Sequence, residues 1–515
     1  MPSNIQLVDA VAGALRESWP GTATAAAAPA LEGAAAALAA HALHRLHPAA
    51  WVVVVTCGPN ELEAFHADLL TLAPGHAAPP LLLPPPEAES AGDIELDGAR
   101  LAVARRLREA VSASAAATLL ATTATALLAP LPEPQAVEQA GRLLRTGSSE
   151  HGFEALVAAL SAAGYAREPE VVAKGQMAVR GGLLDVWPPD APLPVRVDFF
   201  GDTVESLRTF DPASQRSTVS LETAWIPPCD PARLPAAAPV ERLPEGAVFL
   251  WLDHDRIAAM TTAPGAAEPS PAAWDALRAA VARRAPAREI FCGDPPPAGI
   301  PTLPLRVGAP PGLAGLADDP DQPDLRTAAR QKLLAGLEAR ARAGERVVIY
   351  LDTAGGLEWL ARDLPPDTAI LLRRGVLSGG CEWPGLKLVL LGQPDIYALR
   401  KRSARAFVPP AIASRGGRVE RTDEIRPGEL VVHIDHGIGR FEGTGEIERD
   451  GRRVEVMTLR YADGARLHVP TSHAHLLSRY IGIGGREVPL HRLGGRRWQQ
   501  DKIKAERAIV DFAAS

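Results

Sequence analysis

In its first quarter the chain alternates short apolar runs with amphipathic stretches. Trp51–Thr56 (WVVVVT) is apolar almost throughout, as expected of a strand buried on both faces of a parallel sheet. A turn at Cys57–Asn60 and a helix from Glu61 follow it. Leu81–Leu83 and Ala117–Ala121 repeat the short apolar run, with helical periodicity between them. The Ala-rich residues 21–50 read as helix. This alternation predicts an open α/β layer over residues 1–141, ended by Pro130, Pro132 and Pro134.

The pattern then changes to period two. After a helix at Gly152–Ala163, Ala178–Arg180 and Leu183–Trp187 flank Gly181-Gly182 and read as a hairpin or bulged corner. Val195–Phe200 and Thr203–Phe210 flank Gly201-Asp202 and read as a second hairpin. These elements make residues 142–228 an α+β unit. Residues 229–324 are Pro-rich, with one strand at Ala247–Leu252. A second small α/β domain covers 325–408. It consists of a helix at Leu325–Ala343 with Asp324 as N-cap, a strand at Arg346–Leu351, a helix at Gly355–Leu364 and a strand at Leu386–Leu391. Residues 425–480 read as a compact β-rich module, and 481–515 as a linker ending in a charged helix from Trp498.

The chain has 515 residues, which suggests about three to five domains. Its formal net charge is −7, but residues 401–515 hold 21 Lys and Arg against 15 Asp and Glu. The C-terminal part is therefore the region expected to approach DNA, if any does. Cys57, Cys229, Cys292 and Cys381 are far apart, with no C-x-x-C, which argues against a zinc site or a disulfide framework. No apolar run spans a membrane and no signal sequence is evident, so a cytoplasmic monomer is expected.

Candidate chemistry narrows quickly. No Gly-Lys pair occurs, so no phosphate-binding loop of the G-x-x-x-x-G-K-[ST] type exists, and neither a catalytic residue nor a cofactor is expected. Asp423-Glu424-Ile425-Arg426 has the look of a helicase acidic box without the apolar strand before it, and reads as solvated linker. His433, Asp435 and His436, with His468, His473 and His475, contain metal-ligand types. On a strand, however, His433 and His436 face opposite ways, and no metal is expected. On Val195–Phe200, period two puts Val195, Val197 and Phe199 on a core face and Arg196, Asp198 and Phe200 on the other. Arg and aromatic side chains on a half-exposed face suit a protein interface; the plainer alternative is a surface ion pair of Arg196 with Asp198.

Two blocks carry a family resemblance. Arg180–Pro188 (RGGLLDVWP), Val195–Asp202 (VRVDFFGD) and Leu207–Pro212 resemble the interaction domain shared by UvrB and the bacterial transcription-repair coupling factors. Leu430–Gly443 (LVVHIDHGIGRFEG), Leu459–Ala462, Leu467–Pro470 and Leu477–Tyr480 resemble the RNA-polymerase-interacting module of those factors and of CarD-type regulators. His491–Gly495 with Trp498 resembles the linker into the family's motor. The resemblance implies a UvrB-like α/β module, 1–141 with its remainder in 229–324, into which the α+β interaction domain 142–228 is inserted, and a UvrA-binding surface at Arg180, Arg196 and Phe200. It also implies docking of the small barrel on the RNA polymerase β subunit through an edge strand, with Met457, Leu459 and Tyr461 at the contact. The alternative for Met457 and Leu459 is that they are core. The implied function is an adaptor in transcription-coupled nucleotide excision repair, with ATP-driven translocation belonging to motor domains outside these residues. Two other readings stay open: part of a full ATP-dependent translocase, or a CarD-like transcription regulator without a repair role.

Overall fold

The computed structural model describes residues 4–75, 78–86, 93–110, 117–212, 214–264, 266, 268–311, 323–397, 428–433, 437–449, 452–462, 465–470 and 477–479. They fall into two compact units, one up to Ala309 and one mainly from Pro310 onward. The architecture is mixed α/β with several separate sheets.

The first unit is built on a six-stranded sheet in the order Ala25–Ala27, Arg288–Phe291, Val248–Trp251, Val52–Thr56, Leu119–Thr123, Leu81–Leu83. Every pairing in it is parallel. All five residues of Val52–Thr56 are buried, as an apolar run in the middle of a parallel sheet requires. Two of the central strands come from residues beyond 240. The sheet thus takes strands from both sides of residues 142–228, which are inserted between them. The Ala-rich start also differs from expectation. Ala25–Ala27 is an edge strand, and the helix begins only at Gly33. Alanine favours helix by propensity, but Pro29 and Gly33 interrupt the run, and backbone pairing with Glu289–Phe291 satisfies the buried groups before them.

The inserted domain has its own sheet, in the order Ser217–Leu221, Thr203–Phe210, Val195–Phe200, Leu183–Val186, Gln176–Arg180, Ala166–Arg167. Both expected hairpins are present. The helix Phe153–Ala162 packs Leu156, Val157 and Leu160 against Leu184, Val186, Val197, Phe199, Val204 and Leu207. The insertion seats on helix Ile94–Ala110 of the parallel layer. A Cβ on Gly98 would stand 2.1 Å from the Pro189 carbonyl oxygen, and Lys174 Nζ lies 2.7 Å from Glu95 Oε2.

The second unit contains three parallel strands, Leu371–Arg374, Arg346–Leu351 and Leu388–Leu391. Its first helix runs from Pro323 to Arg342, so Asp324 lies inside the first turn and does not cap it. Proline opens a helix readily because its fixed φ suits the first turn. The next helix, Ala354–Arg362, is capped by Thr353, whose hydroxyl accepts from the Gly356 N–H at 3.1 Å. The same unit holds a five-stranded antiparallel sheet in the order Arg466–Pro470, Arg452–Arg460, Gly437–Arg449, Leu430–His433, Leu477–Arg479. Among the described residues no helix is long and apolar enough to cross a membrane. The expected linker helix from Trp498 lies outside the described residues.

His41 shows the burial of the first layer in its chemistry. It sits in helix Gly33–Leu46 with its Nε2 2.8 Å from the Leu69 carbonyl oxygen, and burial lowers its pKa to about 4. The unfolded imidazole protonates near its ordinary value, about 6.5, so His41 supports the fold fully above that pH. The contribution is lost as pH falls toward about 4 and amounts to about 2 kcal/mol by pH 5. Comparing urea unfolding at pH 7.5 and pH 5, His41→Gln should lose less stability on acidification than the parent. An equal loss in both chains would refute this assignment.

Candidate functional site

The outer face of the inserted sheet is organised by one buried ion pair. Arg196 stands directly across from Asp185 on the neighbouring strand. Its Nε and Nη2 donate to Asp185 Oδ1 and Oδ2 at 2.8 and 2.9 Å, a bidentate fork. A third donor, Nη1, reaches the Gln215 carbonyl at 3.1 Å, and the guanidinium lies over the Phe210 ring at 4.5 Å. The side chains of Arg196 and Asp185 are only 14% and 2% exposed. The Asp185 hydrogen bonds are the main cause of an Arg196 pKa raised above its usual value. Phe210 packs below with Val171, Ala178 and Trp187 in a small second core.

The ion pair expected between Arg196 and Asp198 does not form. Asp198 accepts from Arg208 and, at 2.6 Å, from the Ser206 hydroxyl. Arg196 and Arg208 are cross-strand neighbours, and each turns to a different carboxylate. Like charges placed directly across a sheet are destabilising, so alternation of sign across the face relieves them. Sequence periodicity found the face but not Asp185, because the period along one strand says nothing about which strand lies beside it.

Phe200 is different in kind. It is 81% exposed at the end of its strand, a large apolar ring held in water. Arg180 is exposed on the same face and at the same end, with one hydrogen bond to the Pro169 carbonyl at 2.9 Å. Both residues are presented by tight turns. Gly181 has φ +62° and Gly201 φ +60°, in the left-handed region that glycine enters without strain. Gly182 has no room for a side chain, since a Cβ there would meet the Phe199 carbonyl oxygen at 2.9 Å. The Gly201-Asp202 turn is pinned in turn, because Asp202 Oδ1 accepts from the Phe153 N–H at 3.1 Å, at the start of the domain's helix. Arg180 and Phe200 thus end two strands separated by Leu183–Val186, exposed on one face and at one end of the sheet, while Arg196 is tied into the sheet itself.

The second expected site is corrected. Met457, Leu459 and Tyr461 do share one face, but they are 0%, 0% and 1% exposed. With Val431, Phe441 and Val469 they form the core of the five-stranded sheet. Their strand, Arg452–Arg460, is also not an edge; it lies between Gly437–Arg449 and Arg466–Pro470. So small a module needs its few large apolar side chains for its own core and cannot spare them for a partner. Its solvent face is polar: Glu442 binds Arg466 at 2.7 Å and Arg460 at 3.4 Å, and His468 Nδ1 lies 3.1 Å from the Thr458 hydroxyl. Among the described residues the sheet has two edge strands, Arg466–Pro470 and Leu477–Arg479.

Among the described residues no group of three or more His, Cys, Asp or Glu is placed to hold a metal ion. Asp435, His436, His473, His475 and the Asp423–Arg426 segment lie outside the described residues.

The comparisons with known proteins match these two sheets. Residues 144–230 match the UvrB interaction domain, and residues 425–481 match the CarD-like/TRCF RID domain. The chain matches the N-terminal part of the transcription-repair-coupling factors. It is 28% identical to the transcription-repair-coupling factor of Escherichia coli over 70% of this chain and 37% of that protein. It is 28% identical to that of Mycobacterium bovis over 90% of this chain and 45% of that protein. A stretch covering 16% of the chain is 43% identical to the transcription-repair-coupling factor of a Buchnera aphidicola strain. The chain therefore spans less than half the length of these coupling factors.

Two substitutions separate scaffold from surface. Asp185→Ala leaves the Arg196 guanidinium buried without its partner and should destabilise the inserted domain by about 3 kcal/mol or more, measured by urea unfolding. Leu459→Asp places a charge in the core of the CarD-like module. Limited proteolysis should then cut within 428–479 at protease levels that leave the parent intact; unchanged resistance would return Leu459 to the surface.

Proposed function

We propose that the chain is a non-enzymatic adaptor in transcription-coupled nucleotide excision repair. It recruits UvrA through the inserted domain and binds the RNA polymerase β subunit through the CarD-like module. The observation that carries this reading is Phe200, a ring exposed on the same face and at the same end of the sheet as Arg180, in a domain of the UvrB interaction type, with a CarD-like module on the same chain. Water disfavours a ring so exposed, and both hairpin turns hold it out. A partner that buries it gains the apolar area without first ordering the loop. Arg180 adds guanidinium donors for carboxylates or carbonyls on that partner. Arg196 acts through the sheet, holding the strand that ends in Phe200.

Polymerase docking is assigned to the edge strand Arg466–Pro470, which carries the exposed Arg466 and His468, in place of the buried Met457 and Leu459. An edge strand offers free backbone donors and acceptors to an added strand, and its outward side chains, Arg466 and His468, set specificity. ATP-driven translocation belongs to motor domains of the whole coupling factor, and no Gly-Lys pair is present here to hold a triphosphate. DNA contact, if the adaptor makes any, is assigned to the basic residues of 401–515.

Titration calorimetry with purified UvrA tests the first contact. Phe200→Ala and Arg180→Ala should each weaken binding by about ten-fold or more, with circular dichroism unchanged. Arg196→Ala should lower both binding and thermal stability. Parent-like binding by both surface variants would remove the assignment. The double variant Arg466→Glu, His468→Glu should lose polymerase affinity while the module stays folded. Polymerase binding by a parent chain that never binds UvrA would mark a CarD-like regulator instead. Steady-state ATP turnover, with or without DNA, should stay below about 0.1 per second, far under ordinary enzyme rates.

A further inference from the structure

A second, unrelated feature lies on the first α/β layer, at the end of the parallel sheet opposite the strands' carboxyl termini. A cavity of about 160 Å³ is lined by Leu15, Arg16, Trp19, Leu43, Leu46, His47 and Arg288. Leu15, Leu43, Leu46 and Trp19 give it apolar walls on one part and basic side chains border the rest, and no carboxylate lines it. Three basic side chains, those of Arg16, His47 and Arg288, border it, and none of these side chains makes a hydrogen bond or ion pair with a described residue. Arg16 lies in the last turn of helix Asn4–Ser18, and His47 caps the end of helix Gly33–Leu46. Those two positions answer the carbonyl ends of their helices.

Arg288 has no such explanation. It comes from the first position of strand Arg288–Phe291 and sits over the Trp19 indole, 4.0 Å from guanidinium carbon to ring centre. The indole is itself fixed, its N–H donating to the Ala23 carbonyl at 2.7 Å. Contact with the ring therefore orients the guanidinium but leaves its N–H donors without an acceptor among the described residues. Partial burial lowers the Arg288 pKa, and its charge helps to lower that of His47. An oriented, partly desolvated guanidinium fork is the usual partner of a two-oxygen anion.

We propose that this cavity binds a small oxyanion with an apolar body. The carboxylate or phosphate head would sit on Arg288 and His47, and the body against Leu15, Leu43 and Leu46. The volume suits a ligand of benzoate size. The site is independent of the UvrA and polymerase surfaces.

Thermal unfolding and calorimetry of the full chain with sodium benzoate and with inorganic phosphate, each against chloride at equal ionic strength, test it. At least one oxyanion should raise the unfolding midpoint saturably, by a few degrees, through preferential binding to the folded state. A benzoate response alone identifies a carboxylate with an apolar body, and a phosphate response alone a phosphate. Arg288→Met should weaken binding ten-fold or more. Arg45→Met, which removes a guanidinium paired with Asp9 and not lining the cavity, should bind like the parent. As a readout on the parent alone, the His47 imidazole followed by NMR should titrate at higher pH when ligand is bound, because an adjacent anion favours its charged form. No response beyond chloride, a parent-like response in Arg288→Met, or an unmoved His47 at saturating ligand would each overturn the proposal.

Discussion

The bidentate pair between Arg196 and Asp185 is the constraint on which the inserted domain's outer face depends. A sheet packed on one side by a helix needs nothing on its other side except compatibility with water. Here that second face contains a buried guanidinium, a buried carboxylate and the small core of Val171, Ala178, Trp187 and Phe210. Taking two charges out of water is costly, and fork geometry with a third acceptor at Gln215 is what offsets the cost. Such a pair adds little net stability over an apolar replacement. It does fix which strands lie side by side, because only one register puts Arg196 opposite Asp185. Arg180 and Phe200, at the ends of two strands in that register, inherit their positions from it.

The mounting of this domain is as specific as its interior. The Gly98 backbone lets the Pro189 carbonyl come closer than any side chain would allow, and Lys174 reaches Glu95 beside it. Behind this contact Tyr165 donates its hydroxyl hydrogen to the Pro227 carbonyl at 2.8 Å, and burial pushes the neighbouring Cys229 thiol up to about 12. That thiol is consequently a packing group and not a nucleophile. The domain is thus an insertion held by backbone proximity and one partly buried ion pair. This suits a platform that must present a fixed surface from a larger α/β layer.

In the CarD-like module the limiting quantity is apolar volume. Among the described residues Val431, Phe441, Met457, Leu459, Tyr461 and Val469 form the core. Placing Met457 and Leu459 at a partner surface would leave that core unfilled. The module can offer a partner its edge backbone and polar outer face, and these do not compete with folding. This is the physical reason for moving the docking contact from the strand Arg452–Arg460 to the strand Arg466–Pro470.

The sequence by itself determined a good deal. Period two assigned the faces of Val195–Phe200 and the common face of Met457, Leu459 and Tyr461; Gly181-Gly182 and Gly201-Asp202 placed the two hairpins; the run at Trp51–Thr56 marked a central parallel strand. These are local properties, set by alternation and by the φ that a turn demands. What a face meets is not local. Whether Leu459 touches core or partner, whether Arg196 pairs with Asp198 or Asp185, and whether Ala25–Ala27 is helix or edge strand all depend on which strand lies alongside. That neighbour comes from 11 residues away for Arg196, and from residues 289–291 for Ala25–Ala27. Only the tertiary structure decided these, because burial and pairing energies across strands exceed the few tenths of a kcal/mol by which residue propensities differ.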